Sequence, residues 1–212
     1  MEEKKYISLT FDDGPTIGIT DKVLDVLEEN KVTASFFLIG EQVTEDTRYL
    51  VERAYNMGCS IENHSKTHQF MTKMTLEEIQ AEIEYTTEKI IDITGEKPQF
   101  FRPPYIDYDQ KMYDVIDLPF ICGYGCEDWL PEIPTETRID RIMADAKPGQ
   151  MVLLHDMKDN MQTVEAIKVI IPRLKEQGYE FVNIRELFEK TKVVPERNVT
   201  YMCTDEMRDD NM

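Results

Sequence analysis

The sequence is short of the residues that announce a disulfide scaffold, a nucleic-acid binder or a membrane protein. It has four cysteines (Cys59, Cys122, Cys126, Cys203) in 212 residues, too few for a disulfide framework, and the isolated Cys122-x3-Cys126 spacing has no second half to complete a four-ligand zinc site. These cysteines are expected to be mostly buried thiols. Basic residues are scarce too: Lys plus Arg total 24 against 42 Asp plus Glu, a formal charge of -18. That field repels phosphate backbones and anionic lipid, so no nucleic acid is expected as a partner. No run approaches the roughly 18 apolar residues of a membrane span. The opening MEEKK lacks the apolar core of a secretory signal. A cell-envelope or extracellular location would require that a leader or anchor had been trimmed; otherwise the expectation is cytoplasmic. Only three histidines and one tryptophan occur, so their positions carry information.

What is present is an alternation of strand-like and helix-like segments. A chain of this length fits one large domain, residues 1–212, able to bury roughly 70 % of the surface its unfolded form exposes. KKYISLTF (4–11) reads as a strand ended by Gly14-Pro15. DKVLDVLEEN (21–30) spaces Val23, Leu24, Val26 and Leu27 as a helix does, and TASFFLIG (33–40) is the continuous apolar run of a strand buried on both faces. TRYLVERAYNMG (47–58) predicts a helix ending on Gly58. CSIENHS is a short strand, and residues 75–95 form a long amphipathic helix opened by a Thr75-x-x-Glu78 capping box. QFFRPP, LPFICGYG, GQMVLLH and YEFVNIREL read as further strands, and residues 163–178 as a helix with Pro172 inside it. The acidic end, about 203–212, has too few apolar groups to order itself. Strands separated by helices call for right-handed crossovers and a parallel sheet. Six or seven such units predict an α/β barrel with an outer ring of helices, whose chemistry gathers at the C-terminal ends of the strands.

The residues at those ends are Asp12 and Asp13 after the first strand, His64 and His68 at and beyond SIENHS, Arg102 after QFF, Asp128 after CGYG and His155 after MVLL. All three histidines are in this set. His64 and His68, four apart, could share one face of a helical turn and reach one metal ion, or be two loop histidines at a turn capped by Ser65. With a carboxylate from another strand end they make a two-histidine, one-carboxylate set that leaves coordination positions open. Asp12 and Asp13 are either an acidic pair capping the turn at Gly14-Pro15 or two groups with separate tasks, one on a metal and one free to take a proton. Arg102, before Pro103-Pro104, can fix and keep ionised a carboxylate, or sit in a rigid surface turn. Asp128-Trp129 can be a surface acid beside a buried ring, and His155 a core histidine.

In order, TFDDGP, HSKTH, RPPY, DW and LLH resemble the five motifs of the polysaccharide deacetylases, the NodB-homology domain of carbohydrate esterase family 4. The resemblance covers about residues 5–188. It implies a distorted (β/α)7-type barrel, a divalent metal (zinc most often, sometimes cobalt or nickel) and hydrolysis of an acetyl group from a sugar. It implies Asp12 as general base, Asp13, His64 and His68 as metal ligands, and Arg102 as the residue orienting Asp12. His155 would be the general acid with Asp128 as its charge partner. Leu153 and Trp129 would line the acetyl pocket, and the backbone NH of Tyr105 would face the oxyanion. Two departures stand out: Ile106 follows RPPY where the family often has Gly, and Gly125-Cys126-Glu127 before Asp128 lacks an upstream aspartate. The expected substrate is an N-acetylated glycan, of peptidoglycan or chitin type. An O-acetyl esterase acting on xylan is the second reading, and an inactive sugar-binding module a third.

Overall fold

The computed structural model describes residues 4–204. Most of the acidic end, residues 205–212, falls outside the described residues, and so does the expectation made for it.

The first strand, β1 (Lys5–Asp12), is the hub of the sheet, buried at every position from Ile7 onward. Along it Ile7, Leu9 and Phe11 face one side and Ser8, Thr10 and Asp12 the other, as a period of two requires. It pairs in parallel with β2 (Ser35–Leu38), with β6 (Gln150–His155) and, through its first residues, with β7 (Tyr179–Phe181). β3 (Ser60–Asn63) continues from β2, and β5 (Tyr124–Gly125) from β6. Single parallel bridges, Asn63 to Phe101 and Phe101 to Phe120, carry the ring from β3 to β4 (Phe120–Ile121), whose chain runs on into β5. The result is the distorted (β/α)7-type barrel expected.

Helices α1 (Thr20–Asn30), α2 (Arg48–Asn56), α3 (Leu76–Thr94), α4 (Gln110–Val115), α5 (Thr135–Asp145), α6 (Met161–Glu176) and α7 (Ile184–Thr191) follow the strands. α6 shows why they dock: Val164, Ile167, Ile170, Ile171 and Leu174 recur at helical spacing and are all buried, each side chain stabilising the fold by roughly 1.5–3 kcal/mol relative to exposure. The predicted capping box on α3 forms, with the Thr75 hydroxyl accepting from the Glu78 amide and the Glu78 carboxylate from the Thr75 amide, and Gly95 closes the helix at φ 76. None of the four cysteines forms a disulfide, and all four are buried. Among the described residues no helix is long and apolar enough to cross a membrane.

Several expectations change. QFFRPP is not a strand, since Phe101 makes only single bridges before Pro103 and Pro104 remove two donors. LPFICGYG splits into β4 and β5 around Gly123, where a β-carbon would crowd the Met151 carbonyl at φ +97. YEFVNIREL divides at Asn183, whose side chain accepts from the Glu186 amide in a capping box that starts α7. α4, α5 and β8 (Thr200–Tyr201), which pairs with β4, were not anticipated.

Candidate active site

The strand ends meet in a hollow of about 600 Å³ lined by Asp12, Asp13, His64, His68, Tyr105, Ile106, Trp129, Leu153 and His155, among others. Parallel pairing sets the two flanks: Asp12 is the register partner of His155 across β1 and β6. Asp12 keeps the inward direction of its face of β1, whereas Asp13 turns at φ 71. That left-handed residue sends the two neighbouring carboxylates to different places. Gly14 allows the turn, because a β-carbon there would fall on the Asp156 carboxylate.

The Asp13 Oδ1 atom lies 3.4 Å from His64 Nε2 and 3.3 Å from His68 Nε2, and the three donors sit within 4.8 Å of one another. Asp13 Oδ1 is buried with no hydrogen-bond partner. Ligands about 2.0–2.2 Å from one tetrahedral ion stand roughly 3.3–3.6 Å apart, so the two distances from Asp13 fit a divalent cation of zinc size. The His64 Nδ1 pairs with the Arg102 carbonyl oxygen at 2.6 Å, which directs Nε2 toward Asp13. Burial raises the Asp13 pKa, but the close approach and charge of His64, then the charges of His155 and His68, bring it down to about 2. Burial and the His64 charge lower the His68 pKa. The lowered His68 pKa favours the neutral imidazole that binds a cation. The histidine pair does not lie on a helical turn. Ser65 (φ 65) and His68 (φ 57) are left-handed, and the Glu82 carboxylate accepts from the Lys66 and Thr67 amides, shaping a loop that delivers both rings.

Arg102 is fully buried. Its Nη1 donates to Asp12 Oδ1 at 2.6 Å and to the Thr10 hydroxyl at 2.9 Å, and its guanidinium lies 4.2 Å from the Phe37 ring centroid. With Oδ1 so engaged, Asp12 presents Oδ2, 3.8 Å from His64 Nε2, to the ligand set. On the opposite flank His155 Nδ1 meets Asp128 Oδ1 at 2.7 Å, and the His155 amide donates to Asp128 Oδ2 at 2.8 Å. Burial disfavours the imidazolium, but the Asp128 hydrogen bond and charge, with Asp12 and Asp13 further off, hold the His155 pKa up at about 9.

Every site residue singled out in the sequence reaches this hollow or directly supports it. Trp129 packs edge-on to His155 with centroids 5.6 Å apart. Tyr105 (φ 60, ψ 10) and Ile106 (φ 54) both take left-handed angles, so Ile106 adopts unaided a conformation natural to glycine. Residues missed lie behind the groups that line the hollow. Thr163 and Asn160 donate to Asp128 Oδ2, and the buried Arg138 donates in turn to Asn160 Oδ1 and the Thr163 hydroxyl. Asp156, beside His155, is fully buried, and desolvation raises its pKa to about 7. Thr10, a polar residue on the inward face of an apolar strand, carried a signal of period two; Arg138, on a helix of ordinary amphipathic pattern, carried none.

Comparison with known proteins agrees with this geometry. Residues 1–118 match the family model described as polysaccharide deacetylase. The chain is 46 % identical over 200 residues, 94 % of its own length, to a bifunctional xylanase/deacetylase of Pseudobutyrivibrio xylanivorans, covering 33 % of that protein. It is 36 % identical over 194 residues to the peptidoglycan-N-acetylglucosamine deacetylase PgdA of Listeria monocytogenes, covering 89 % of this chain and 40 % of that one. It thus spans between a third and two-fifths of these relatives. A family 4 acetyl xylan esterase from Clostridium thermocellum, solved with a cobalt ion, superposes with a TM-score of 0.92 at 35 % identity, over 95 % of this chain and all of that one. A barrel that brings its scattered motifs to one mouth, with relatives alike over nearly its whole length, places this chain in the polysaccharide deacetylase family, the NodB-homology group of carbohydrate esterase family 4.

Proposed function

We propose that this chain is a metal-dependent hydrolase that removes N-acetyl groups from N-acetylglucosamine residues of a glycan of peptidoglycan or chitin type, with about residues 5–188 as the catalytic unit. The observation that carries the reading is a three-donor set flanked on one side by an arginine-held carboxylate and on the other by a carboxylate-held imidazole.

Asp13, His64 and His68 would hold the ion, zinc in this reading with cobalt or nickel as alternatives. When bound, it supplies Lewis-acid polarisation and makes water acidic enough to attack near neutral pH. Asp12 accepts the proton of the attacking water through Oδ2, its other oxygen being fixed by Arg102. The backbone NH of Tyr105 faces the developing oxyanion, a contact worth roughly 3 kcal/mol. Leu153 and Trp129 line the acetyl pocket. An amide nitrogen leaves badly unless protonated, so His155, held cationic by Asp128, donates its proton to it.

Acetate release from chitooligosaccharides and peptidoglycan fragments by the zinc-reconstituted chain, with Asp12→Asn as control, tests the proposal. Tight glycan binding at full metal occupancy without acetate would refute it in favour of a binding module. A second reading, O-acetyl removal from xylan, draws support from the xylanase/deacetylase relative and the acetyl xylan esterase neighbour. Acetylated xylan deacetylated much faster than chitooligosaccharide would select it.

A further inference from the structure

Asp128 is buried, and the His155 ring touches it, Nδ1 to Oδ1 at 2.7 Å. Once an imidazolium there has given up its Nε2 proton, a neutral ring is left beside a carboxylate removed from water. That state is costly unless a second cation stands near.

Such a cation lies behind Oδ2. Arg138, on α5, is buried, and its Nη1 donates to Asn160 Oδ1 at 2.5 Å and to the Thr163 hydroxyl oxygen at 2.8 Å. A guanidinium has no acceptor, so it sets the polarity of both partners. The Thr163 hydroxyl, accepting from Arg138, turns its own proton to Asp128 Oδ2 at 2.7 Å. Asn160, with its oxygen on Arg138, turns its NH2 to Oδ2 at 3.3 Å and to the His155 carbonyl oxygen at 2.9 Å. Donation from Nε to the Ile133 carbonyl at 2.9 Å and from Nη2 to the Leu130 carbonyl at 3.2 Å fixes the guanidinium plane. Asp128 thus sits between two cations, one that can lose its charge and one that cannot.

We infer that Arg138 is a positioning residue for the proposed reaction: through Thr163 and Asn160 it supplies Asp128 with a permanent countercharge that lets His155 release its proton to the leaving group. The inference rests on the acid role proposed for His155. In the transfer the Nε2–H bond breaks and the leaving nitrogen gains the proton, while the Nδ1 proton stays between the ring and Asp128. Without the Arg138 charge, the His155–Asp128 pair would hold its proton more tightly. Loss of a mere structural brace would do the reverse, by freeing Asp128 from the ring. The other titratable groups whose fields reach the pair are Asp12 and Asp13 from β1, His68 from the ligand loop and the Cys126 thiol, which burial pushes up to about 12 and keeps neutral.

The test compares zinc-loaded Arg138→Met, Arg138→Lys and Thr163→Val with the unaltered protein. The His155 ring is titrated by NMR, and initial rates are taken on matched N-acetyl and O-acetyl sugars. Arg138→Met should hold the His155 proton about tenfold more tightly. It should lower kcat on the amide about tenfold, with KM and the ester rate little changed. Arg138→Lys keeps the charge and should recover most of both effects. Thr163→Val, close to threonine in shape, should move in the direction of Arg138→Met by about twofold to threefold. Proton release as easy as before or easier in folded Arg138→Met, a lysine variant no better than the methionine one, or equal losses on amide and ester would overturn the inference. Should Arg138→Met fail to fold by circular dichroism, Thr163→Val decides alone, and an unchanged or looser proton there overturns it. A ring that responds as described in a protein that releases no acetate would support the countercharge and refute the hydrolase reading.

Discussion

Replacing Asp128 with asparagine would test the His155 flank of the site most directly. The carboxylate accepts from His155 Nδ1 at 2.7 Å through Oδ1, and through Oδ2 from the His155 amide at 2.8 Å, Thr163 at 2.7 Å and Asn160 at 3.3 Å. An asparagine has one acceptor oxygen. If that oxygen serves the three donors on the Oδ2 side, its NH2 points at His155 Nδ1 and forces the ring to be neutral. Burial, which opposes the imidazolium, then acts without the charge that overrides it. His155 should fall from about 9 to below its ordinary 6.5 or so. The wild-type elevation is worth about 3 kcal/mol. Because the folded value is raised, that stability is fully present below about pH 6.5 and lost as pH rises through about 9. Asp128→Asn should therefore lose about 3 kcal/mol more at pH 6 than at pH 10 in urea unfolding of metal-free protein. Activity on acetamides should fall by about 10²–10⁴, and by less on acetate esters, whose alkoxide leaves more readily. With three histidines in the chain, imidazole NMR resolves the titration. A wild-type His155 titrating at or below 6.5, or equal losses on amide and ester, would refute the reasoning.

Arg102→Met should cost about 3–5 kcal/mol, because it strands Asp12 as a buried carboxylate without its cation; equilibrium urea denaturation checks this. Chelation should lower the melting temperature and zinc restore it, with about 2.7 kcal/mol of stabilisation at a hundred times Kd. His68→Ala should abolish that response in a thermal scan. Ile106→Gly should relieve about 1–2 kcal/mol of left-handed strain against about 0.5–1 kcal/mol of added chain entropy. A net gain of up to about 1.5 kcal/mol is expected, and a clear loss in urea titration would show that the Ile106 side chain matters more to the hollow than its backbone.

The barrel was legible because strands such as β2 and β6 are apolar runs and its helices show periodic faces, α3 with a full capping box and a closing glycine besides. The candidate site residues were legible because parallel strands deliver whatever follows them to one rim, so Asp12 and His155 could be placed at the same mouth before their register was known. Short pieces escaped notice where pattern and geometry part: QFFRPP is as apolar as a strand, yet two prolines leave it little to pair with. The segment after Asn183 looked extended until its cap was counted. The His64–His68 spacing left two readings open for a related reason, since a spacing of four is equally compatible with a helical turn and with the left-handed turns at Ser65 and His68 that are observed. Supporting residues such as Arg138 act through partners far apart in the chain, and spacing does not encode that.

Arg102 contributes to the site twice, by means that do not depend on each other. Its guanidinium grips Asp12, while its main-chain oxygen anchors the His64 ring. Under the proposed roles, a change of side chain here would release the proton acceptor while the main-chain anchor of His64 stays in place. Loss of turnover and retention of cation and sugar recognition would then be separable by one codon.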